Sequence, residues 1–289
     1  LNIPDVRFAP AGNREVMIEV LDLEDLYQRR DKMDHCPEKP HRMGFSMIVF
    51  VQEGRGDHFI DFKRWPFQSG SALFVNKNQI NAFDLSNRPQ GRAVLFQQAL
   101  IDRLQTTMRL PLFTPDYLYR DYVPVVDTGP ELRRRCTRLL QEIETESRHH
   151  EPDSAVTMHV FSALMILLQR ERKALQTQSL SELERKKFTA FVELLETSFT
   201  VTRNAADFAD ELHTTLKTLN ALCKKAADKT AKQLIDAYTI LEAKRRLVAE
   251  RKRVQDLADE LGFDEVTNFT KYFKKHTGIT PAHFQKREQ

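Results

Sequence analysis

Two stretches near the C-terminal end of the sequence carry, at helical spacing, side chains that can hydrogen-bond a nucleic acid. Along Leu216–Ala227, the residues Lys217, Thr218, Asn220, Ala221 and Lys224 fall on one side of a helix; along Val266–His276 so do Val266, Thr267, Thr270, Lys271 and Lys274. Ammonium groups neutralise phosphates, and hydroxyl, amide and ammonium groups read base edges in a major groove. Other chemistries lack their residues. There is no GxGxxG and no GxxxxGK[ST], and glycine is scarce at 9 residues, so neither a dinucleotide fingerprint nor a phosphate loop is present. The three cysteines, Cys36, Cys136 and Cys223, are odd in number and far apart, which gives neither a disulfide framework nor a zinc spacing. No catalytic residue, metal or cofactor is expected.

A groove-reading side chain needs a rigid carrier, and both stretches have one. In the second, Val254–Leu261 forms a short helix, Gly262, Phe263 and Asp264 a turn, and Val266–His276 a second helix; in the first, Ala205–Leu212 is followed by His213, Thr214 and Thr215 and then Leu216–Ala227. This is the plan of a helix-turn-helix unit, whose second helix lies in the major groove. Gly262 suits the turn because it tolerates positive φ, and Asp264 is expected to cap the helix that follows. Leu257, Leu261, Phe263, Phe269 and Phe273 supply the inward faces of the second unit, and Leu212, Leu219 and Leu222 those of the first. Between the units, Gln233–Glu250 predicts a helix ~27 Å long, which sets two recognition helices close to one DNA turn (~34 Å) apart.

The remaining chain is organised differently. HRMGFSMIVFV from His41, HFIDFKRWPF after a Gly54-Arg55-Gly56 turn, SALFV, NAFDL and GRAVLFQ are short apolar runs broken by Gly, Asn and Pro, which predicts a sandwich or small barrel in the first hundred residues. Strand alternation places His41, Met43, Phe45, Met47 and Val49 on one face. Such a face is either a filled core or the wall of a pocket for an apolar or amphipathic ligand. After Pro130 the period becomes helical: Leu132, Cys136, Leu139, Leu140 and Ile143 share a face, and a second helix runs to about Leu175. Its wide apolar face either packs wholly on the β-domain or leaves a stripe for a partner subunit. Thr177–Ser181 is short and polar, the natural linker.

The 289 residues suit two or three domains, and their net charge of +3 says little by itself. All the excess lies in Ser181–Gln289, where 20 Lys and Arg face 17 Asp and Glu. That surplus permits nucleic-acid binding without arguing for it. The longest mostly apolar run, Val156–Leu168, is too short to span a bilayer, and LNIPDVRFAPAGNREV has no apolar core of a secretory signal, so a cytoplasmic protein without membrane contact is expected.

AKQLIDAYTILEAKRRLV followed by VQDLADELGFDEVTNFTKYFKKHTGITPAHFQK resembles the DNA-binding domain of the AraC/XylS family of bacterial transcription regulators, through the LGF turn, the NFTKYFKK and TGITP runs and the ILEAKRRL linker helix. ADFADELHTTLKTLNALCKK matches more loosely, with Thr215 at a position where the family usually has a capping Ser. The resemblance puts the base-facing positions on Lys217, Asn220 and Ala221 and on Val266, Thr267, Thr270 and Lys271. Ala221 and Val266 cannot donate a hydrogen bond, which limits them to a thymine methyl or to no contact.

The resemblance also implies a fold: α+β and multidomain, with a cupin-like effector domain over 1–110, a helical dimerisation segment over 111–176 and a double helix-turn-helix domain over 182–289. In a cupin the first metal motif falls on His41, Met43, Met47 and Gly54, and the second on Gly70, Asn76, Asn78 and Asn81. His41 is the one ligand type retained of four, and Met and Asn are poor replacements for a divalent transition metal. His41, Met43, Phe45, Met47 and Asn81 are therefore expected to line an uncharged effector pocket. The partners implied are double-stranded promoter DNA, RNA polymerase, a small apolar or amphipathic effector and a second copy of the chain. Two rivals remain: a cupin metal-dependent enzyme with an appended helical domain, and a regulator acting only through protein partners, to which Ala221, Val266 and the small charge lend weight.

Overall fold

The computed structural model describes residues 5–8, 17–29, 36–84, 86–108, 117–119, 122–175, 180–249 and 252–288. The chain divides into two compact units, one of residues 4–114 with 123–176 and one of 1–3, 115–122 and 177–289.

The first unit is built on two five-stranded sheets. Strands β1 (Asp5–Val6), β3 (His41–Met43), β8 (Ile80–Phe83), β5 (Arg55–Ile60) and β6 (Lys63–Gln68) form one in the order β1-β3-β8-β5-β6. Strands β10 (Val125–Asp127), β7 (Ser71–Val75), β4 (Ser46–Glu53), β9 (Gln90–Phe96) and β2 (Ile18–Asp22) form the other in the order β10-β7-β4-β9-β2. All pairs are antiparallel except β1 with β3. The expected cupin-like barrel is thus an open one, two hydrogen-bonded sheets around a shared core. Asp61 and Phe62, at φ 46° and 67°, make the two-residue hairpin turn between β5 and β6. Of the expected Gly54-Arg55-Gly56 turn, Gly54 turns at φ 106°, while Arg55 and Gly56 already belong to β5.

The strand period decides which residues face which layer. Met47, Val49 and Val51 of β4 meet Leu73 and Val75 of β7, Ala93 and Leu95 of β9, Met43, Ile60, Phe67 and Phe83 from the facing sheet, and Phe45 from the connection between β3 and β4. The alternate residues Ile48, Phe50, Ala72, Phe74, Val94 and Phe96 pack instead against helices. These are α2 (Gln98–Met108), α3 (Pro130–Ser147) and α4 (Ser154–Leu175), through Ile101, Leu104, Cys136, Leu140, Ile143, Phe161, Leu164 and Leu168. The central sheet is therefore covered on both faces, which is why SMIVFV and SALFV read as unbroken apolar runs. Two helices flank the runs read as strands, α2 and the short α1 (Leu23–Arg29).

The expected helical segment over 111–176 holds α3 and α4 among its described residues. Its helices α3 and α4 share one core with the sheet, Leu164 being 1% exposed, while residues 117–119 and Tyr122 fall with the second unit. The physical reason is the outer face of the central sheet, an apolar surface the helices must cover.

The second unit is helical among its described residues: α5 (Glu182–Ser198), α6 (Ala205–Glu211), α7 (Leu216–Ala227), α8 (Ala231–Ala249), α9 (Val254–Glu260), α10 (Val266–Thr277) and α11 (Pro281–Arg287). A reciprocal capping box of Ser181 and Glu184 starts α5. Helix α8 runs 19 residues, about 28 Å at about 1.5 Å per residue. Of the expected linker, 177–179 lie outside the described residues.

Candidate DNA-binding site

Each helix-turn-helix unit is held by its caps and its turn. In the first, Asn204 caps α6 by accepting from the Ala206 N–H at 3.2 Å, and Thr215 caps α7 by accepting from the Thr218 N–H at 3.1 Å. The turn puts His213 at φ 49°, a conformation costly for a residue with a Cβ. In the second, the same place is taken by Gly262 at φ 69°. A Cβ on Gly262 would lie 1.9 Å from the Thr200 carbonyl oxygen, so the glycine answers both the turn and a close approach of backbone. Asp264 does not cap α10. The N-cap is Glu265, whose side chain accepts from no backbone N–H of the first turn; its carboxylate accepts from the Thr267 hydroxyl at 2.9 Å instead. The turn delivers Glu265, one residue further on, to the helix start.

Of the expected apolar faces, Leu219, Leu257, Leu261, Phe263, Phe269 and Phe273 are buried, while Leu212 and Leu222 of the first unit are half-buried. On the opposite faces Lys217, Thr218, Ala221 and Lys224 are exposed on α7, and Thr267, Lys271 and Lys274 on α10, where Val266 and Thr270 are half-buried. Asn268, which the sequence pattern did not single out, is exposed beside them. Asn220 is half-buried, and its Oδ1 accepts from the Ala231 N–H at 2.9 Å, which caps α8. A base contact from Asn220 therefore falls to its Nδ2.

Helix α8 holds both recognition helices. Besides the Asn220 cap on α7, its Asp236 accepts from the Tyr272 hydroxyl of α10 at 2.7 Å, lies 2.5 Å from Lys232 Nζ and 3.8 Å from His276 Nε2. Burial beside that carboxylate pushes the Tyr272 hydroxyl well above the usual range. Further along α8, the buried Arg245 pairs with the buried Glu242 at 2.5 Å. Tyr117 donates to Glu196 of α5 and stacks on Tyr238 of α8, with ring centroids 6.2 Å apart. Neither Asp236, Arg245 nor Tyr117 was singled out from sequence; a polar residue on an amphipathic helix carries no local sign that it is buried.

The residues expected to line an effector pocket do come together. His41, Met43, Phe45, Met47 and Asn81 are all buried between the two sheets. His41 Nδ1 lies 3.0 Å from the Lys39 carbonyl and its Nε2 3.4 Å from Asn81 Nδ2. A further residue joins them: His58, whose ring meets Phe83 edge-on at 4.5 Å. Burial, with His41 beside it, pulls His58 down to about 3, so the imidazole is neutral at physiological pH. Among the described residues no group of three or more His, Cys, Asp or Glu is placed to hold a metal ion, and no helix is long and apolar enough to cross a membrane.

Two helix-turn-helix units joined by one linker helix, each with an exposed polar face on its second helix, are the arrangement of a DNA-binding protein. The helix-turn-helix domain family matches residues 208–287. Over nearly its whole length the chain is similar to curated proteins described as the HTH-type transcriptional activator RhaS. That of Shigella dysenteriae is 24% identical over 280 residues, covering 96% of this chain and 95% of its own, and that of Escherichia coli is 24% identical over 277 residues, covering 96% and 94%. A solved structure, ToxT from Vibrio cholerae, aligns with 93% of this chain and 98% of its own at 13% identity and a TM-score of 0.45. The helix-turn-helix domain and the near full-length similarity to transcriptional activators make the chain a DNA-binding transcription regulator, similar to those of the AraC/XylS family.

The turn of the second unit makes a direct prediction. Gly262→Ala should lower the melting temperature of the helical unit, because αL geometry alone costs about 1–2 kcal/mol and the Thr200 oxygen must also move. A thermal melt of the variant within about 1 °C of the wild type would show that the turn relaxes freely, since even 1 kcal/mol shifts a domain of this size by several degrees.

Proposed function

We propose that this protein reads promoter DNA through Lys217, Thr218, Asn220, Ala221 and Lys224 on α7 and Val266, Thr267, Thr270, Lys271 and Lys274 on α10, under the control of a small apolar or amphipathic effector bound between the two sheets. The observation that supports the reading is that these residues sit on the outer faces of two recognition helices carried by one linker helix. The uncharged interior around His41, Met43, Phe45, Met47 and Asn81 suits a ligand without a strong charge. In this reading the protein performs no chemistry on the effector, works in the cytoplasm as a homodimer and acts on RNA polymerase at its promoters. The names of the curated relatives make activation the output to test first. For self-association, Val156 is exposed on α4, with Val160 and Ala163 half-buried on the same side.

Selection of bound duplexes from a randomised library tests the base assignments. Lys271→Ala should relax preference at one base pair, roughly 1–3 kcal/mol of discrimination if the contact is bidentate to guanine. Lys274→Ala should instead weaken every site about equally and reduce the slope of log K against log salt by about 1. Wild-type affinity that stays constant between low and moderate salt would count against phosphate contact by this face, and the reverse pattern in the two variants would rotate the assigned face of α10.

A further inference from the structure

The two helix-turn-helix units are joined by more than helix α8. Arg203, the residue before the N-cap of α6, belongs to the leading edge of the first unit. Its guanidinium reaches across to the turn of the second: Nη1 donates to the Leu261 carbonyl at 2.6 Å and Nη2 to the Gly262 carbonyl at 2.7 Å. The same group lies over the Phe263 ring, 3.9 Å from its centroid. Beside it the Thr200 carbonyl fills the space where a side chain on Gly262 would stand. Segment 200–203 of one unit is thus docked on the turn of the other by two charge-assisted hydrogen bonds, a cation–π contact and a backbone approach.

We propose that Arg203 is a positioning residue that fixes the separation and angle of α7 and α10, and so sets the spacing between the two half-sites the protein accepts. The inference rests on the DNA-binding reading and adds a determinant that touches no base. Helix α8 alone holds each unit along one line of packing, about which a short unit can rotate. A further attachment on the turn removes that freedom. Guanidinium suits the task because its planar fork meets two neighbouring carbonyls at once while its face lies on an aromatic ring, which an ammonium cannot do. The consequence for DNA is geometric. With about 10.5 base pairs per turn, one added base pair rotates the second half-site by about 34° and moves it about 3.4 Å. A pair of recognition helices locked together cannot follow that movement; a pair joined by α8 alone can.

The test uses the full chain and a two-part duplex taken from wild-type selection, with the spacing between halves changed by one base pair in either direction. The wild type should lose roughly tenfold or more at either altered spacing, an effect the size of a mismatched base pair. Arg203→Ala should bind the best spacing more weakly and lose less than about threefold on moving to the others, with its base preference inside each half unchanged, since no base contact has gone. Arg203→Lys, which keeps the charge and the stem but cannot bridge both carbonyls, should show the same flattening and decides the matter if the alanine variant does not fold. Equal weakening at all three spacings would overturn the proposal and make Arg203 a phosphate contact or a merely structural residue. An unchanged profile would overturn it as well. Selection by the wild type that enriches no two-part site would overturn the proposal together with the DNA-binding reading, whereas enrichment with an unaltered profile in both variants would overturn the proposal alone.

Discussion

Arg245→Ala should destabilise the helical unit by about 3–5 kcal/mol, the usual effect of removing one member of a buried ion pair. Arg245 is 2% exposed and Glu242 3%, and their closest approach is 2.5 Å. Truncation takes from the buried Glu242 carboxylate its 2.5 Å partner, while the more exposed Arg246 stays 3.8 Å away. It also removes the cation over the Tyr117 ring, at 5.8 Å. A denaturant titration followed by a probe confined to the helical unit measures the loss. The double variant Glu242→Leu with Arg245→Met should recover most of it, because the two charges of the pair leave together and apolar side chains of similar volume replace them. A loss under about 1 kcal/mol in the single variant would mean that water or a rearranged Arg246 reaches Glu242. Because Tyr238, Glu242 and Arg245 lie on the helix that carries both recognition helices, DNA affinity at a fixed temperature should fall with stability. Base preference should be unchanged in whatever fraction stays folded.

That ion pair illustrates what the sequence could and could not disclose. The second helix-turn-helix unit was legible because its signals are local. Leu257, Leu261, Phe269 and Phe273 repeat at helical spacing, and Gly262 falls where the chain must turn with positive φ. Thr215 stands where the resemblance places a capping Ser, and it does cap α7. The Asp264 cap failed by one residue, the ordinary margin for a helix boundary. The sheets were legible as runs and not as layers, since pairing such as β4 with β9 joins strands far apart in the chain, Met47 lying opposite Leu95. The apolar surplus of α3 and α4 had two explanations in sequence, and the structure supplies a large part of one: the outer face of the central sheet. Arg203 and Arg245 were illegible in principle. Arg203 bonds backbone carbonyls 58 and 59 residues away. Arg245 has the same sequence surroundings as any solvated arginine on the polar side of a helix, and only its pairing with Glu242 in the interior sets it apart.

The sheet unit should become steadily less stable as pH falls below about 6.5, and His58 is the reason. An exposed histidine titrates near 6.5, while burial between the sheets, with His41 beside it, holds His58 at about 3 in the folded chain. Between those values the unfolded chain carries a proton that the folded chain refuses. Stability present above 6.5 is therefore lost at up to about 1.4 kcal/mol per pH unit, or about 2 kcal/mol by pH 5. Carboxylates add an acid dependence of their own below about pH 5, so the measurement that isolates His58 is a difference between pH 7 and 5. His58→Phe keeps a ring against Phe83, which the wild-type imidazole meets at 4.5 Å, and has nothing to protonate. Urea titrations across that range should give a wild-type slope steeper by nearly one proton than that of the variant. Parallel slopes would show that His58 reaches solvent or finds an anionic partner when protonated. The same refusal of charge bears on the effector. With His58 neutral, a carboxylate placed beside it and Asn81 meets no compensating charge from that ring, whereas an apolar body with a hydroxyl meets dipoles that can pair with it. Effector affinity should then stay level between pH 7 and 8 and fall only where the sheet unit itself begins to open.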